Sequence, residues 1–228
     1  MAPWTTHLLA FVKIVPLAFV ALFPVVNPVG TAIILLGMTG PMDRATRRPM
    51  AAKIALNAGA ILTAVLFAGS YLLAFFGITI PTVQAAGGLV LASMGWDMLR
   101  NSDGEKAGDG ASTAIGTLEG MIFYPFTFPI TVGPGCIAVT LTLSAHSQHD
   151  TLAETVAHQT GVFAGIVGVC VLVYLSFVYS DLIGRRLGAS GIKVLLRLMA
   201  FVLVCLGAEI FWNGASTLIL EMLAKAAK

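Results

Sequence analysis

The stretch FPVVNPVG, residues 23–30, interrupts an otherwise apolar run with two prolines, an asparagine and a glycine. Proline removes a backbone donor and clashes with the preceding turn, so it ends or kinks a helix. In lipid, an unpaired backbone group costs several kcal/mol, and such a break persists only where protein groups or a water-filled cavity supply hydrogen-bond partners. The stretch is therefore either a kink that packing absorbs or part of a binding site.

The composition is that of an integral membrane protein. Of the 228 residues, 57% are hydrophobic and 11% are charged, and the mean hydropathy is +0.91, whereas a soluble domain has about 25% charged residues. Six apolar runs have about the 20 residues needed to cross the hydrocarbon core. They are residues 8–38, 51–77, 81–99, 118–144, 155–179 and 193–220. We therefore predict an all-α integral membrane protein with six transmembrane helices.

The distribution of Lys and Arg predicts the orientation, because these residues are retained on the cytoplasmic side. With the N-terminus outside, all of the 13 cations except Lys13, Lys225 and Lys228 lie at cytoplasmic ends and loops. We therefore predict a multi-pass protein of the bacterial inner membrane with both termini on the periplasmic side. The same bias explains the net charge of +2 without a nucleic-acid partner.

The chain contains an internal repeat. A shift of 105 residues lays FPVVNPVG on FPITVGPG (residues 128–135), and a shift of 112 lays LVLASMGWDMLRN (89–101) on FVLVCLGAEIFWN (201–213). The sequence thus predicts a first three-span repeat over residues 1–100, a flexible cytoplasmic linker over 101–117 and a second repeat over 118–228. Because each repeat has an odd number of crossings, the second must be inverted, as in many secondary transporters.

The first and fourth runs are longer than a straight crossing requires, and each contains one of the repeat-equivalent breaks. Asn27 is a good N-cap residue and Pro28 suits the first helical position, so a half-helix can begin there; Gly133 with Pro134 permits the same restart. The amides that begin such half-helices favour an anionic group, and the carbonyls that end the preceding ones favour a cation. We therefore predict a site for a small zwitterion, formed by Asn27, Pro28, Gly30, Thr31, Thr131, Gly133, Pro134 and Gly135.

Four stretches resemble the MarC family of bacterial six-span membrane proteins: residues 23–40, 75–99, 125–144 and 194–214. The most specific elements are Asn27-Pro28-x-Gly30 and Gly133-Pro134-Gly135. The family is classed among neutral amino acid transporters, in a larger group with the LysE and RhtB types of exporter. The resemblance therefore implies transport of small neutral amino acids such as glycine and alanine, driven by a proton or other ion gradient.

Two acids within the apolar runs are candidates for ion coupling. Glu209 lies in the sixth run, and Asp97 is its repeat-equivalent residue in the third. An ionisable residue in a span is costly and often functional. Pairing of Asp97 with Arg100, one turn away, is the structural alternative. The family usually has an uncharged residue at the position of Glu209, so no family role is transferred to it.

The sequence favours a secondary transporter over an enzyme, since it has no phosphate-binding loop and no metal-binding motif, and it implies no cofactor. The expected partners are a small neutral amino acid, the lipid bilayer and a coupling ion, while association into a homo-oligomer is left open. An exporter of other small molecules, including drugs, is one alternative. A channel in which the broken helices form re-entrant segments is the other.

Overall fold

The computed structural model describes residues 3–39, 42–100, 118–145 and 152–226, and the predicted linker lies outside them. Nearly all of the described residues are helical, and no strand occurs among them. Residues Ile122–Thr131 form turns wider than those of an α-helix, and we call them the wide-turn segment. The α-helices are α1 (Pro3–Val26), α2 (Pro28–Thr39), α3 (Arg44–Phe75), α4 (Ile80–Arg100), α5 (Leu118–Met121), α6 (Pro134–Ala145), α7 (Leu152–Val178) and α8 (Ser180–Ala226).

Four helical stretches are long and apolar enough to cross a membrane: Phe11–Thr39, Arg44–Phe75, Ala153–Val178 and Ser190–Ala226. The wide-turn segment and α6 form a fifth if this bent pair is one span. The prediction of an all-helical membrane protein is therefore confirmed, with four or five such spans in the described residues. α4 corresponds to the predicted third span and is roughly 31 Å long, but Gln84, Asp97 and several glycines lower its apolar content.

Helices α1 and α7 run parallel and pack closely. A Cβ atom added to Gly161 would lie against Ile14, and one added to Gly165 would lie against Ala18. Because the contacts advance in the same direction along both helices, the helices are parallel. Small residues at such contacts let two membrane helices approach closely. Around this contact lie fully buried side chains of both helices, including Leu22.

Helices α4 and α8 pack antiparallel through glycines. A Cβ atom on Gly95 would lie 2.8 Å from the Ala200 carbonyl oxygen, and one on Gly207 would lie 2.7 Å from the Gly88 carbonyl oxygen. Neither distance can be realised, so both positions require glycine. Adding 112 to residue numbers 88 and 95 gives 200 and 207, which means that the shift that aligns the two sequences also relates the two contacts.

An ion pair joins the start of α3 to the start of α8. Arg47 Nη1 lies 2.5 Å from Asp181 Oδ2, and Arg47 Nη2 donates to the Met42 carbonyl oxygen at 3.0 Å. The Arg47 side chain is only 5% exposed, and that of Asp181 is 36% exposed. A buried charge requires such partners. The pair therefore ties together the two connections that precede α3 and α8, both of which are predicted to be cytoplasmic.

Two glycines with positive φ shape the helix ends. Gly77, with φ of 67°, follows α3 and allows the Ile78 amide to donate to the Leu73 carbonyl oxygen at 2.9 Å, which closes the last turn. Gly188, with φ of 62°, divides α8 into a short first part and the long part that packs against α4.

Candidate functional site

The first break is a single residue. α1 ends at Val26 and α2 begins at Pro28, the position that the sequence predicts. Asn27 has a φ of 47°, in the left-handed region that asparagine enters more readily than most residues. Its amide donates to the Phe23 carbonyl oxygen at 2.9 Å, and its carbonyl oxygen accepts from the Thr31 amide at 2.9 Å. The chain thus turns without losing these two backbone hydrogen bonds.

The Asn27 side chain caps α2. Its Oδ1 accepts a hydrogen bond from the Gly30 amide at 3.2 Å, which is the usual N-cap pairing with the third helical residue. A Cβ atom on Gly30 would lie within 3 Å of the Asn27 Cγ and Oδ1 atoms. The glycine of Asn-Pro-x-Gly is therefore required by the asparagine, which occupies the space that a larger residue would need.

The other polar atom of the Asn27 side chain is a donor without a partner. Within the described residues, no hydrogen bond uses the N–H groups of Asn27 Nδ2, although Asn27 is only 8% exposed. The Nδ2 atom is not one of the fully buried side-chain atoms that lack a partner, so it keeps some accessible surface. The first break therefore presents a pair of hydrogen-bond donors that no group of the described residues uses.

The neighbouring donors are already used. The Gly30 and Thr31 amides are bonded to Asn27, and the Thr31 hydroxyl donates to the carbonyl oxygens of Asn27 at 3.1 Å and Pro28 at 3.2 Å. The sequence predicts that the amides at the start of α2 face a ligand, but the Gly30 and Thr31 amides are bonded within the chain. The side chain of Asn27, not the end of α2, is thus the available donor at this break.

The second break is larger. The wide-turn segment and α6 meet at an angle of 62°. Within that segment Tyr124 and Phe128 have extended backbone angles, as expected for residues that precede proline. The Thr127 hydroxyl donates to the Ile122 carbonyl oxygen and the Thr131 hydroxyl to the Phe126 carbonyl oxygen, both at 2.7 Å.

These two hydroxyls form their hydrogen bonds inside the wide-turn segment itself. Thr127 and Thr131 are buried, at 0% and 1% exposure, and their hydroxyls are satisfied by carbonyl oxygens of the preceding turn. This role was not predicted from the sequence. The signal is the repeated tetrapeptide aromatic-Pro-x-Thr in YPFTFPIT, residues 124–131.

The restart of the fourth run lies at Gly133 and Pro134. α6 begins at Pro134, and the Gly133 carbonyl oxygen accepts from the Cys136 amide at 3.0 Å and the Ile137 amide at 3.3 Å. Gly133 and Gly135 are buried, while Pro134 is exposed. α6 therefore presents the positive end of its helix dipole at this break.

The structure brings the two breaks together. A Cβ atom on Gly135 would lie 3.4 Å from Val25 Cγ1, and it would lie much closer to the Leu91 side chain of α4. Val25 lies two residues before Asn27. Met94, one turn after Leu91, lies close to Gly133 in the same way. The first break, the second break and α4 thus meet in the interior, with α4 covering Gly133 and Gly135.

The two candidate coupling acids lie away from this region. Glu209 is exposed on α8 and accepts a weak hydrogen bond from Asn213 Nδ2 at 3.4 Å. Asp97 is exposed on α4, and it forms no ion pair with Arg100 among the described residues. Because Gly207 packs on Gly88, Glu209 and Asp97 lie roughly 15 Å apart along α4. Within the described ranges, no three His, Cys, Asp or Glu residues lie together as a metal site would require.

Comparison with known proteins identifies the family. Residues 12–219 match the model of the MarC family integral membrane proteins. The inner membrane protein MarC of Escherichia coli strain K12 is 32% identical over 208 residues, which cover 89% of this chain and 94% of that protein. Its counterpart from Citrobacter koseri is 30% identical over 212 residues, which cover 91% and 96%.

No solved structure matches the chain. The inner-membrane relatives and the long apolar helices agree on a multi-pass protein of the inner membrane. Since the match to the family model covers nearly the whole sequence, the chain belongs to the MarC family of integral membrane proteins.

Proposed function

We propose that this protein is a secondary transporter of small neutral amino acids, such as glycine and alanine, which works by alternating access around the two helix breaks. The observation that carries the proposal is the unpaired Nδ2 group of Asn27, a residue that is only 8% exposed and lies two residues after Val25, which contacts the second break at Gly135. A donor pair at a helix break suits a carboxylate, because hydrogen bonds to charged groups are the stronger ones.

The second break supplies complementary chemistry. The start of α6 carries partial positive charge and favours the same carboxylate. Gly133 and Gly135 leave no side chain between that helix end and α4. Leu91 and Val25 lie close to Gly135, so room for a ligand there requires these side chains to move apart. A compact amino acid needs a smaller movement than a drug-sized molecule does.

The inverted six-span repeat is part of the proposal, and the contact between α4 and α8 supports it. Besides the carbonyl oxygens described above, the amide nitrogens nearest Gly95 and Gly207 belong to Val204 and Ala92, which differ by the same 112 residues. Reciprocal contacts of this kind are those that a two-fold axis between equivalent segments produces. In this arrangement α4 is the third crossing and the long part of α8 the sixth.

The proposed gate is the pair formed by α4 and α8. Leu91 and Met94 of α4 cover the second break, so a ligand can reach Gly133 and Gly135 only if α4 moves. The glycine contacts hold α4 tightly to α8, and the two helices would move together. The ion pair between Arg47 and Asp181 links α3 to α8 and would stabilise the conformation in which this end is closed.

Coupling to protons would involve Glu209, with Asp97 as its repeat equivalent. Both side chains are exposed on the α4 and α8 pair, the pair that is proposed to move during transport. Replacement of Glu209 by glutamine should abolish the pH dependence of transport while preserving exchange of substrate at fixed pH. An unchanged pH dependence in Glu209→Gln would remove this role.

A channel is the second candidate, favoured by the 62° bend between the wide-turn segment and α6, which is also compatible with a re-entrant loop. Proteoliposomes that contain the full chain distinguish the two. A transporter exchanges labelled alanine for unlabelled alanine with saturable kinetics, and glycine competes. Linear, non-saturating flux would support the channel, and absence of any amino acid exchange would overturn the proposal.

A further inference from the structure

An apolar groove lies between α3 and α7, on the outer surface and apart from the two breaks. Its volume is about 500 Å³. Most of the α3 residues that line the groove have small side chains, which gives the groove its depth. Gly59 of α3 lies against Cys170 of α7 at the bottom of the groove. Exposed apolar side chains, such as Leu56 at 72% and Val171 at 52%, form its margins. The lining includes Ala52, Gly59 and Thr63 of α3, and Phe163, Cys170 and Tyr174 of α7.

The position of the groove along α3 corresponds to one leaflet of the bilayer. All charged residues of α3 precede Ile54, and the 22 residues from there to Phe75 (75 − 54 + 1) span roughly 33 Å, close to the hydrocarbon thickness of about 30 Å. The hydrocarbon region therefore begins near Ile54, two residues after the first groove residue, Ala52. From Ala52 to Thr63 the helix rises roughly 17 Å, about half of the bilayer core.

The end of the groove nearest the start of α3 is basic. Arg44 and Arg48 are exposed and precede Ala52 by two turns and one turn, so they lie on the same face of α3 as the groove. Lys53, also exposed, flanks the first groove residue. Arg47 lies elsewhere on the helix and is occupied by Asp181. Asp43, the residue before α3, is one turn from Arg47 and belongs to that side.

Tyr174 contributes a polar group at the same level. The Arg47 to Asp181 pair places the start of α3 beside the end of α7, so the two helices run antiparallel. With Cys170 level with Gly59, Tyr174 is level with Ala55, near the boundary of the hydrocarbon region. Tyrosine is enriched at that depth, where its ring lies among acyl chains and its hydroxyl reaches the headgroups.

We propose that this groove is a binding site for an anionic phospholipid, with one acyl chain along α3 and α7 and the phosphate at Arg44 and Arg48. The match in depth to one leaflet and the basic residues at the headgroup end support this occupant, since basic residues at the end of a cleft between membrane helices favour anionic headgroups. A second copy of the chain fits less well. A symmetric dimer opposes the same surface on both subunits, and two concave surfaces would leave a void.

The variants for the test follow from burial. Arg44→Gln together with Arg48→Gln removes the charges at exposed positions, so the fold is preserved. Ala60→Leu fills the groove from an exposed position of its lining. Arg186→Gln, exposed on α8, removes a charge away from the groove and is the matched control.

The full chain in detergent is titrated with phosphatidylglycerol and with phosphatidylcholine, and bound lipids are counted by native mass spectrometry. We expect a preference for phosphatidylglycerol that falls about thirtyfold in the double arginine variant, weaker binding of both lipids to Ala60→Leu, and unchanged binding to Arg186→Gln. Equal binding of the two lipids, or a double variant that keeps the preference, would overturn the proposal. The proposal would also be overturned if the Ala60→Leu protein bound lipid normally but changed from dimer to monomer. The groove would then be the binding site of a second copy of the chain.

Discussion

Gly30 and Asn27 form a coupled pair, which makes the effect of Gly30→Ala depend on residue 27. The added methyl group would lie within 3 Å of three atoms of the Asn27 side chain, so that side chain must move away. The cap hydrogen bond of 3.2 Å is then lost, and the buried Gly30 amide loses its acceptor.

The magnitude follows from these losses. Loss of the N-cap leaves the buried Gly30 amide unpaired, and this single loss costs about 1–3 kcal/mol. Alanine recovers about 1 kcal/mol through its better helix propensity. We therefore expect Gly30→Ala to lower the free energy of unfolding by roughly 1 kcal/mol.

The matched background is Asn27→Gly. Glycine accepts the φ of 47° without strain and removes the obstructing side chain. In that background Gly30→Ala should stabilise the protein by up to about 1 kcal/mol. The double-mutant cycle should thus give a coupling energy of roughly 2 kcal/mol.

The assay is reversible unfolding of the four purified proteins in mixed micelles by titration with a denaturing detergent, monitored by circular dichroism. The sign change of the Gly30→Ala effect between the two backgrounds is the decisive feature. If Gly30→Ala cost the same in both, the capping role of Asn27 would be refuted.

Three further perturbations test other parts of the structure. Thr131→Val should lower the free energy of unfolding by about 1 kcal/mol, because it removes the hydrogen bond from the buried hydroxyl to the Phe126 carbonyl oxygen. Thr131→Ser is the control and should cost less. Asp181→Asn should lower the free energy of unfolding by about 1–3 kcal/mol, since the charge of Arg47 stays buried without its partner. If Asp181→Asn had the same effect in an Arg47→Met background, the two side chains would not interact. Gly95→Ala and Gly207→Ala should each cost about 1–3 kcal/mol through contact with the partner backbone, and widely different values, measured by the same unfolding assay, would contradict their equivalence.

Much of the fold could be predicted from the sequence because it depends on local chemistry. Hydrophobic runs indicated the membrane helices, and the restart positions at Pro28 and Pro134 followed from the prolines and their neighbours. α4 shows the limit of composition: its glycines reduce its apolar content, yet the same glycines let it pack on α8.

The positions of the two helix breaks could be predicted, but the hydrogen bonds at them could not. The sequence located both breaks, yet it assigned the Gly30 and Thr31 amides to a ligand, and Asn27 uses them instead. Which partner a capping side chain selects depends on its rotamer and on the space beside it. Contacts between distant residues, such as Arg47 with Asp181 and Val25 with Gly135, depend on packing of the whole bundle and had no local signal.

The most direct test of the proposed transport site is alanine exchange by Asn27→Asp in proteoliposomes. Aspartate keeps an oxygen for the Gly30 amide and tolerates the φ of 47°, so the cap and the thermal stability should persist. It lacks the N–H donors and repels a carboxylate, and exchange should fall roughly tenfold to a hundredfold. An Asn27→Asp protein that folds normally and exchanges alanine at the rate of the unmodified protein would contradict the central claim.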